Sequence, residues 1–265
     1  MNKSIIYRLN IWIAEQLKTI APNLYKYKVK FAESGEATLE MFWKAGLIAF
    51  VIGLILGTLL VVTKRGGIRR NPIVYHLANT IVNVFRSIPF IILLIFLIPY
   101  TRAIVGTSIK VKGAIMPLVF GTVPFYSRQV EVALSGVEEG KIEAARSMGS
   151  GTLGLIFRVY LPEAVPALIR VTTVTAISLI GLTTMAGAVG AGGLGSFAIN
   201  YGQNQSYEDI VNVCVVVLLI VTIILQSLGN GLSRLTFNRK LITIRRGRKT
   251  GKAAPAASES ITAES

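Results

Sequence analysis

The chain has 265 residues, 52% of them hydrophobic, with a mean hydropathy of +0.60 and a formal net charge of +15. A soluble domain averages ~45–50% apolar residues with glycine counted in; here the 25 glycines come on top, which excludes an ordinary soluble fold and points to a membrane protein. The basic excess then belongs to cytoplasmic loops rather than to a nucleic-acid surface, and a single cysteine (Cys214) with a single histidine (His76) excludes a disulfide framework and a metal cluster.

Residues 1–38 read as an N-terminal amphipathic extension. Ile5, Ile6, Leu9, Trp12, Ile13, Leu17 and Ile20 recur at helical spacing and stop before Pro22, as in a helix lying on a membrane or on a bundle. Charges throughout this stretch leave no apolar run of the kind a secretory signal carries. Span one is Ala45–Thr63, uncharged and about the ~20 residues a crossing helix needs. Its Gly53-x-x-x-Gly57 pair reads as ordinary helix packing.

Asn71-Pro72 is a helix start, an Asn cap followed by proline at the first position. Span two centres on Ser87–Tyr100. Run from Pro72 to Tyr100, it is about 29 residues, or about 43 Å as helix, with Arg86 snorkelling to the interface and Pro89 either kinking the helix or sitting where it bends. Span three, Gly113–Ser127, is short and contains glycine and proline. Span four starts near Ala164 and runs through Val171–Gly195, and span five is Ile210–Asn230. Every Asp and Glu falls outside these runs. Lys64, Arg65, Arg69 and Arg70, then Arg128, Lys141, Arg146, Arg158 and Arg170, then the basic stretch from Arg234 to Lys252 alternate onto one side. The positive-inside rule therefore puts the N-terminus out and the C-terminus in, against the dissent of the lysines in the N-terminal extension. Residues 238–265 form a basic and then small, polar tail, whose end, 253–265, is too poor in apolar residues to fold.

Gly190-Ala191-Gly192-Gly193-Leu194-Gly195 spells the dinucleotide-binding fingerprint, G-x-G-x-x-G. That fingerprint needs a strand before it and an acidic residue about 20 residues on. Here the preceding run, Val171 to Val189, is uncharged and too long for a strand. The five glycines from Gly187 to Gly195 instead permit close packing and a break in the backbone, which membrane depth tolerates only where protein or a water cavity covers it. A P-loop look-alike, Gly136 to Ile142, has the wrong glycine spacing and lacks the hydroxyl that holds magnesium. The chain therefore has no recognisable ATP site of its own.

The long connection between spans three and four, about residues 128–170, carries the most specific signal. Glu143-Ala144-Ala145 is followed after three residues by Gly149, and after nine more by Val159-Tyr160-Leu161-Pro162. Ile142 to Met148 holds good helix formers, Gly149 and Gly151 can end such a helix, and Leu161-Pro162 is expected to redirect the chain. This pattern resembles the E-A-A-x3-G-x9-I-x-L-P signature of ABC-importer permeases, with Val159 in place of the usual Ile. Together with "FRSIPFIILLIFLIPYTRAIVGTSI" and "TTMAGAVGAGGLGSFAINYGQ", it is similar to the permease subunits of methionine-uptake ABC transporters over roughly residues 39–237, the transmembrane domain.

The resemblance implies an all-α, polytopic fold of the five-helix type I importer kind in the cell (inner) membrane, working as a homodimer. Two ABC ATPase subunits would bind below and an extracytoplasmic methionine-binding protein above. The chain itself would catalyse nothing and bind no cofactor or metal, ATP and magnesium belonging to the ATPase. Glu143, Ala144, Ala145 and Gly149 would dock a coupling helix into the ATPase, with Val159, Leu161 and Pro162 orienting it. Thr183, Thr184, Met185 and Gly190 are candidates for the translocation path or its gate. The solute implied is methionine, L- and D-, with another amino acid or a phosphonate as the alternative. An ion-coupled carrier fits less well, since it needs an intramembrane carboxylate or an organised ion site.

Overall fold

The computed structural model describes residues 21–250. The expected helix over residues 5–20 and the polar tail 253–265 lie outside them. Within them the chain is helical almost throughout, and no strand occurs among the described residues.

A short helix α1 (Pro22–Lys26) leads into α2 (Lys28–Thr63), 36 residues long. Helix α2 thus begins well before the uncharged run, because its early turns already have a face to bury. Thr38, Met41 and Phe42 continue the buried stripe of Ala45 and Ala49, while Lys30, Glu36 and Lys44 occupy the other side. The Gly53/Gly57 pair packs inside the chain, as the sequence suggests. A Cβ at Gly57 would sit 2.6 Å from Val130 and from the Ser127 carbonyl, and one at Gly53 would sit 2.7 Å from the Tyr126 ring.

At Asn71 the predicted cap is present: its side chain accepts a hydrogen bond from the Val74 N–H at 3.2 Å, with Pro72 at the first helical position. Helix α3 (Pro72–Ser87) ends at Ile88, and α4 (Phe90–Val105) leaves at 107° to it. Ile88 is extended, the conformation a following proline enforces, and Pro89 has no N–H to continue the ladder. The proline therefore sits where the chain bends, the second of the two expected placements, and separates two helices. Arg86 stands in the last turn of α3, just before the corner.

Helix α5 (Lys110–Ser135) is the centre of the bundle, with α2, α3, α4 and α8 packed around it. Leu118, Ser127, Val130 and Leu134 are fully buried on it. The connection then holds α6 (Glu139–Ser147) and α7 (Thr152–Leu155) before α8 (Leu161–Ala186). A glycine-rich turn leads to α9 (Gly193–Phe197), and α10 (Glu208–Thr250) closes the described chain. Among the described residues three stretches are long and apolar enough to cross a membrane: Lys28–Thr63, Thr152–Ala191 and Glu208–Thr236, with the bent α3–α4 pair as a fourth. Large apolar side chains such as Leu47, Ile55, Leu219 and Ile223 are more than half exposed on these helices, as suits a lipid solvent rather than water.

The N-terminal end is strapped to the start of α10. Asp209 accepts hydrogen bonds from the Asn23 N–H (3.0 Å), the Asn23 Nδ2 (3.1 Å) and the Leu24 N–H (3.4 Å). Beneath it Ala21, Leu24, Phe197, Ile210 and Cys214 form a buried cluster. Charged hydrogen bonds are worth roughly 1.5–3 kcal/mol, so Asp209→Ala should cost about 2 kcal/mol, read as a lower melting temperature of the purified protein. Asp209→Asn, which keeps an acceptor, should recover part of the loss.

Candidate functional site

The signature residues form a compact ledge between α5 and α8. Helix α6 starts at Glu139 and ends where Gly149 adopts φ +80°, the left-handed conformation that glycine takes without strain. The Gly149 N–H donates to the Arg146 carbonyl (2.9 Å) and the Ser150 N–H to the Ala145 carbonyl (3.1 Å), closing the helix end. Ala145 turns inward and is buried, whereas Glu143, Ala144, Ser147 and Met148 are exposed. Met148, Leu153 and Phe157 add a bare apolar surface to the same ledge, each at least 65% exposed.

Several contacts fix the ledge to the bundle. Lys141 Nζ bonds Glu163 at 2.9 Å and pairs with Glu138 at 3.3 Å. The Glu163 carboxylate, with Glu138 behind it, raises the ammonium above its ordinary value, so Lys141 stays charged throughout the neutral range. Arg146 reaches the Ile68 carbonyl in the α2–α3 loop at 3.4 Å.

Leu161-Pro162 does not turn the chain, contrary to the expectation from sequence. Tyr160 and Leu161 are both right-handed helical, and α7 runs into α8 through a wider helical turn over Ile156–Tyr160. There the Leu161 N–H bonds the Ile156 carbonyl, five residues back. The extra residue in that turn makes room where Pro162 lacks an N–H and its ring would meet the carbonyl four residues earlier. Val159 lies within the turn, half-buried, beside the buried Tyr160.

The glycine stretch does break the helix. Gly190, Gly192 and Gly193 have φ of +89°, +83° and +80°, and the chain folds back so that α9 lies against the end of α8. A Cβ at Gly195 would be 2.2 Å from the Thr184 carbonyl oxygen, and one at Gly187 would be 2.5 Å from the Ser196 nitrogen. Helix α2 covers the turn, with the Leu194 N–H donating to Thr38 Oγ1 at 2.8 Å. The four candidates for the path differ in exposure. Thr183 is buried and Thr184 half-buried, and both hydroxyls donate to the Ile180 carbonyl (2.7 and 3.1 Å). Met185 and Gly190 are exposed.

What the structure does assemble is a cavity of ≈ 320 Å³ at the α3–α4 corner. Phe85, Arg86 and Phe90 line it from the corner, Thr122 and Phe125 from α5, and Thr175, Ser178 and Leu182 from α8. Sequence reasoning passed over these residues because only the 107° bend brings Arg86 opposite the α8 hydroxyls. The available signal was the pair Thr175 and Ser178, three apart and polar inside an apolar run.

A charged pair lies largely buried further along α5. Glu131, beyond the apolar run that ends at Ser127, lies on the continuation of α5 and is 8% exposed. It pairs with Arg128, whose guanidinium also reaches Asn79 Oδ1 (2.6 Å) and Asn83 Oδ1 (2.8 Å) on α3. Neighbouring helices rather than lipid surround α5, so a paired charge is tolerated there.

Comparison with known proteins accounts for this architecture. The D-methionine transport system permease protein MetI of Escherichia coli K12 is 50% identical over 138 residues, which are 52% of this chain and 64% of that protein. The match thus spans somewhat less than two thirds of that relative's length. The probable D-methionine transport system permease protein MetI of Vibrio cholerae is 42% identical over 197 residues, 74% of this chain and 88% of that one. A structure of the MetNI methionine ABC transporter in inward-facing conformations contains a chain with the same fold. The TM-score is 0.78 at 43% identity, covering 80% of this chain and 98% of that one. The family of binding-protein-dependent transport system inner membrane components matches residues 44–240, from within α2 into α10, and with the broken, membrane-length helices already described this multi-pass membrane chain belongs to that family.

Proposed function

We propose that this chain is the permease subunit of an ATP-driven methionine importer. The observation that carries the reading is the likeness just described, at 43% identity and a TM-score of 0.78, to a chain of a methionine ABC transporter. The chain pairs with a second copy of itself in the inner membrane, with its N-terminus outside and its C-terminus inside, as the placement of its basic residues supports. Five spans cross the bilayer: α2, the bent α3–α4 pair, α5, α8 and α10.

Two ATPase subunits, which bind ATP and magnesium, sit beneath the α6 ledge. Glu143, Ala144 and Gly149 present the docking face; Ala145 anchors α6 from behind, and Val159, Leu161 and Pro162 join the ledge rigidly to α8. Closure of the ATPases moves the ledge and, through the unbroken α7–α8 rod, the bundle. An extracytoplasmic binding protein delivers methionine to the outer face. Transport selects between two states of this kind only if each ligand favours one of them.

The test is uptake of labelled methionine into proteoliposomes that hold this chain, its ATPase and its binding protein. ATP-dependent accumulation is expected. ATP-driven uptake of a different solute, with none of methionine, would keep the permease and reassign its cargo. Uptake driven by an ion gradient without the ATPase would overturn the reading.

A further inference from the structure

We propose that the cavity at the α3–α4 corner is a transit site for one apolar amino acid, whose carboxylate is held by Arg86. This rests on the reading of the chain as an amino-acid permease and adds to it a site within the permease itself. At ≈ 320 Å³ the cavity stands at the lower end of the ~300–1,000 Å³ typical of small-ligand pockets.

Its charge pattern is that of a zwitterion's complement. Arg86 is the one ionisable side chain lining it, and Arg86 takes part in no ion pair among the described residues. A guanidinium stays charged at any physiological pH and binds carboxylates through two parallel hydrogen bonds. Helix α4 begins at the cavity with Phe90, so the positive end of its dipole adds to the attraction for an anion. Helix α3 ends there, so its last carbonyls and the negative end of its dipole face the same corner and suit an ammonium. A broken helix that offers both ends to one cavity is a general way of holding a charged solute within a membrane.

The hydroxyls complete the match. Thr175 and Ser178 donate their protons to the Val171 and Val174 carbonyls at 2.8 and 3.0 Å; Thr175 is fully buried, whereas the exposed Ser178 keeps oxygen lone pairs that can accept from an ammonium. Thr122 is 1% exposed and its Oγ1 has no hydrogen-bond partner. A buried hydroxyl left unpaired is costly, and a turn of the Thr122 side chain toward the cavity would let a polar ligand relieve it. Phe90, Phe125 and Leu182 supply the apolar wall on which an unbranched side chain or thioether packs. With no carboxylate in the lining, a lysine or arginine ligand would bring a second positive charge against Arg86, so cationic amino acids are disfavoured.

The experiment is equilibrium binding of labelled methionine to the purified permease–ATPase complex without the binding protein. Methioninol, which keeps the amine and side chain but lacks the carboxylate, and unlabelled norleucine and lysine serve as competitors. Saturable binding is expected, with competition by norleucine and not by methioninol or lysine. Arg86→Gln should weaken binding about tenfold or more, the value of a lost bidentate charge contact, and Arg86→Lys should restore part of it. If Arg86→Gln fails to assemble, Leu182→Trp, which fills the cavity without touching a charge, should abolish binding.

Unchanged affinity in both variants, or full competition by methioninol, would overturn the site even if ATP-driven methionine uptake persists. In a parallel assay with labelled norleucine, binding of norleucine where labelled methionine does not bind, still dependent on Arg86, would keep the site and remove the methionine reading instead.

Discussion

Replacing Glu143 with arginine should abolish recovery of the ATPase with the purified permease, while the permease itself still reaches the membrane at a normal level. Glu143 is exposed on α6 and makes no hydrogen bond or ion pair among the described residues, so the substitution removes nothing that holds the chain together. The ledge keeps its own fastenings: Lys141 to Glu163, Arg146 to the Ile68 carbonyl, and Ala145 turned inward. What changes is the sign of a charge at the centre of the face proposed to meet the ATPase. Charge reversal in a desolvated contact costs several kcal/mol, so association should fall by about 100-fold or more. A sedimentation or co-purification assay reads this directly. An intact, fully active complex would remove Glu143 from the docking face, while a complex that assembles but no longer couples ATP hydrolysis to uptake would place it in transmission rather than docking.

The second large effect is expected at the glycine turn, where two mechanisms can be separated. At Gly195 a Cβ would meet the Thr184 carbonyl oxygen at 2.2 Å, and Thr184 Cα and carbonyl carbon at 2.8 Å. These are backbone atoms that cannot rotate away, so Gly195→Ala must push α9 off α8 and off the Thr38 hydroxyl that caps it. Overpacking of this kind costs about 3 kcal/mol, enough to lower yield and thermal stability sharply in a marginally stable fold. Gly190 has open space around its Cβ position but φ of +89°. Gly190→Ala should therefore cost only the left-handed backbone penalty, about 1–2 kcal/mol, with α9 still seated. Melting curves of the two variants, with wild type alongside, rank the effects. Equal losses at both positions would mean that backbone conformation, not close approach, governs the turn.

Part of this architecture was legible because it depends on lipid or on the adjacent backbone alone. The uncharged runs within α2, α8 and α10 announce themselves because their side chains face hydrocarbon, where any unpaired charge is costly. The Asn71 cap, the stop at Gly149 and the break after Ala186 are local events, each set by a residue's own preferred dihedrals or by a side chain reaching three residues along the backbone. The Glu143-to-Pro162 spacing marked the ledge for the same reason, since a motif read along the chain needs no knowledge of what packs on it.

Tertiary packing decided the rest. Helix α5 reads poorly by hydropathy because its neighbours are helices, so Arg128 can reach Asn79 and Asn83 and pair with Glu131 rather than face lipid. Pro89 by itself permits a kink or a corner; the 107° corner is chosen by how Phe90 and Leu93 seat against α5 and α8. Leu161-Pro162 by itself favours an extended break; the widened turn at Ile156–Tyr160 keeps the rod straight because Tyr160 and Ala164 bury in the core beside Val130 and Leu134. The cavity is the furthest from the sequence, because Arg86, Thr122 and Ser178 lie on three elements. Residue types and helical periods determined which stretches become helices and which of them prefer lipid. Which polar groups meet inside the bundle was determined by the angles between those helices, and these follow from packing against partners distant in the chain.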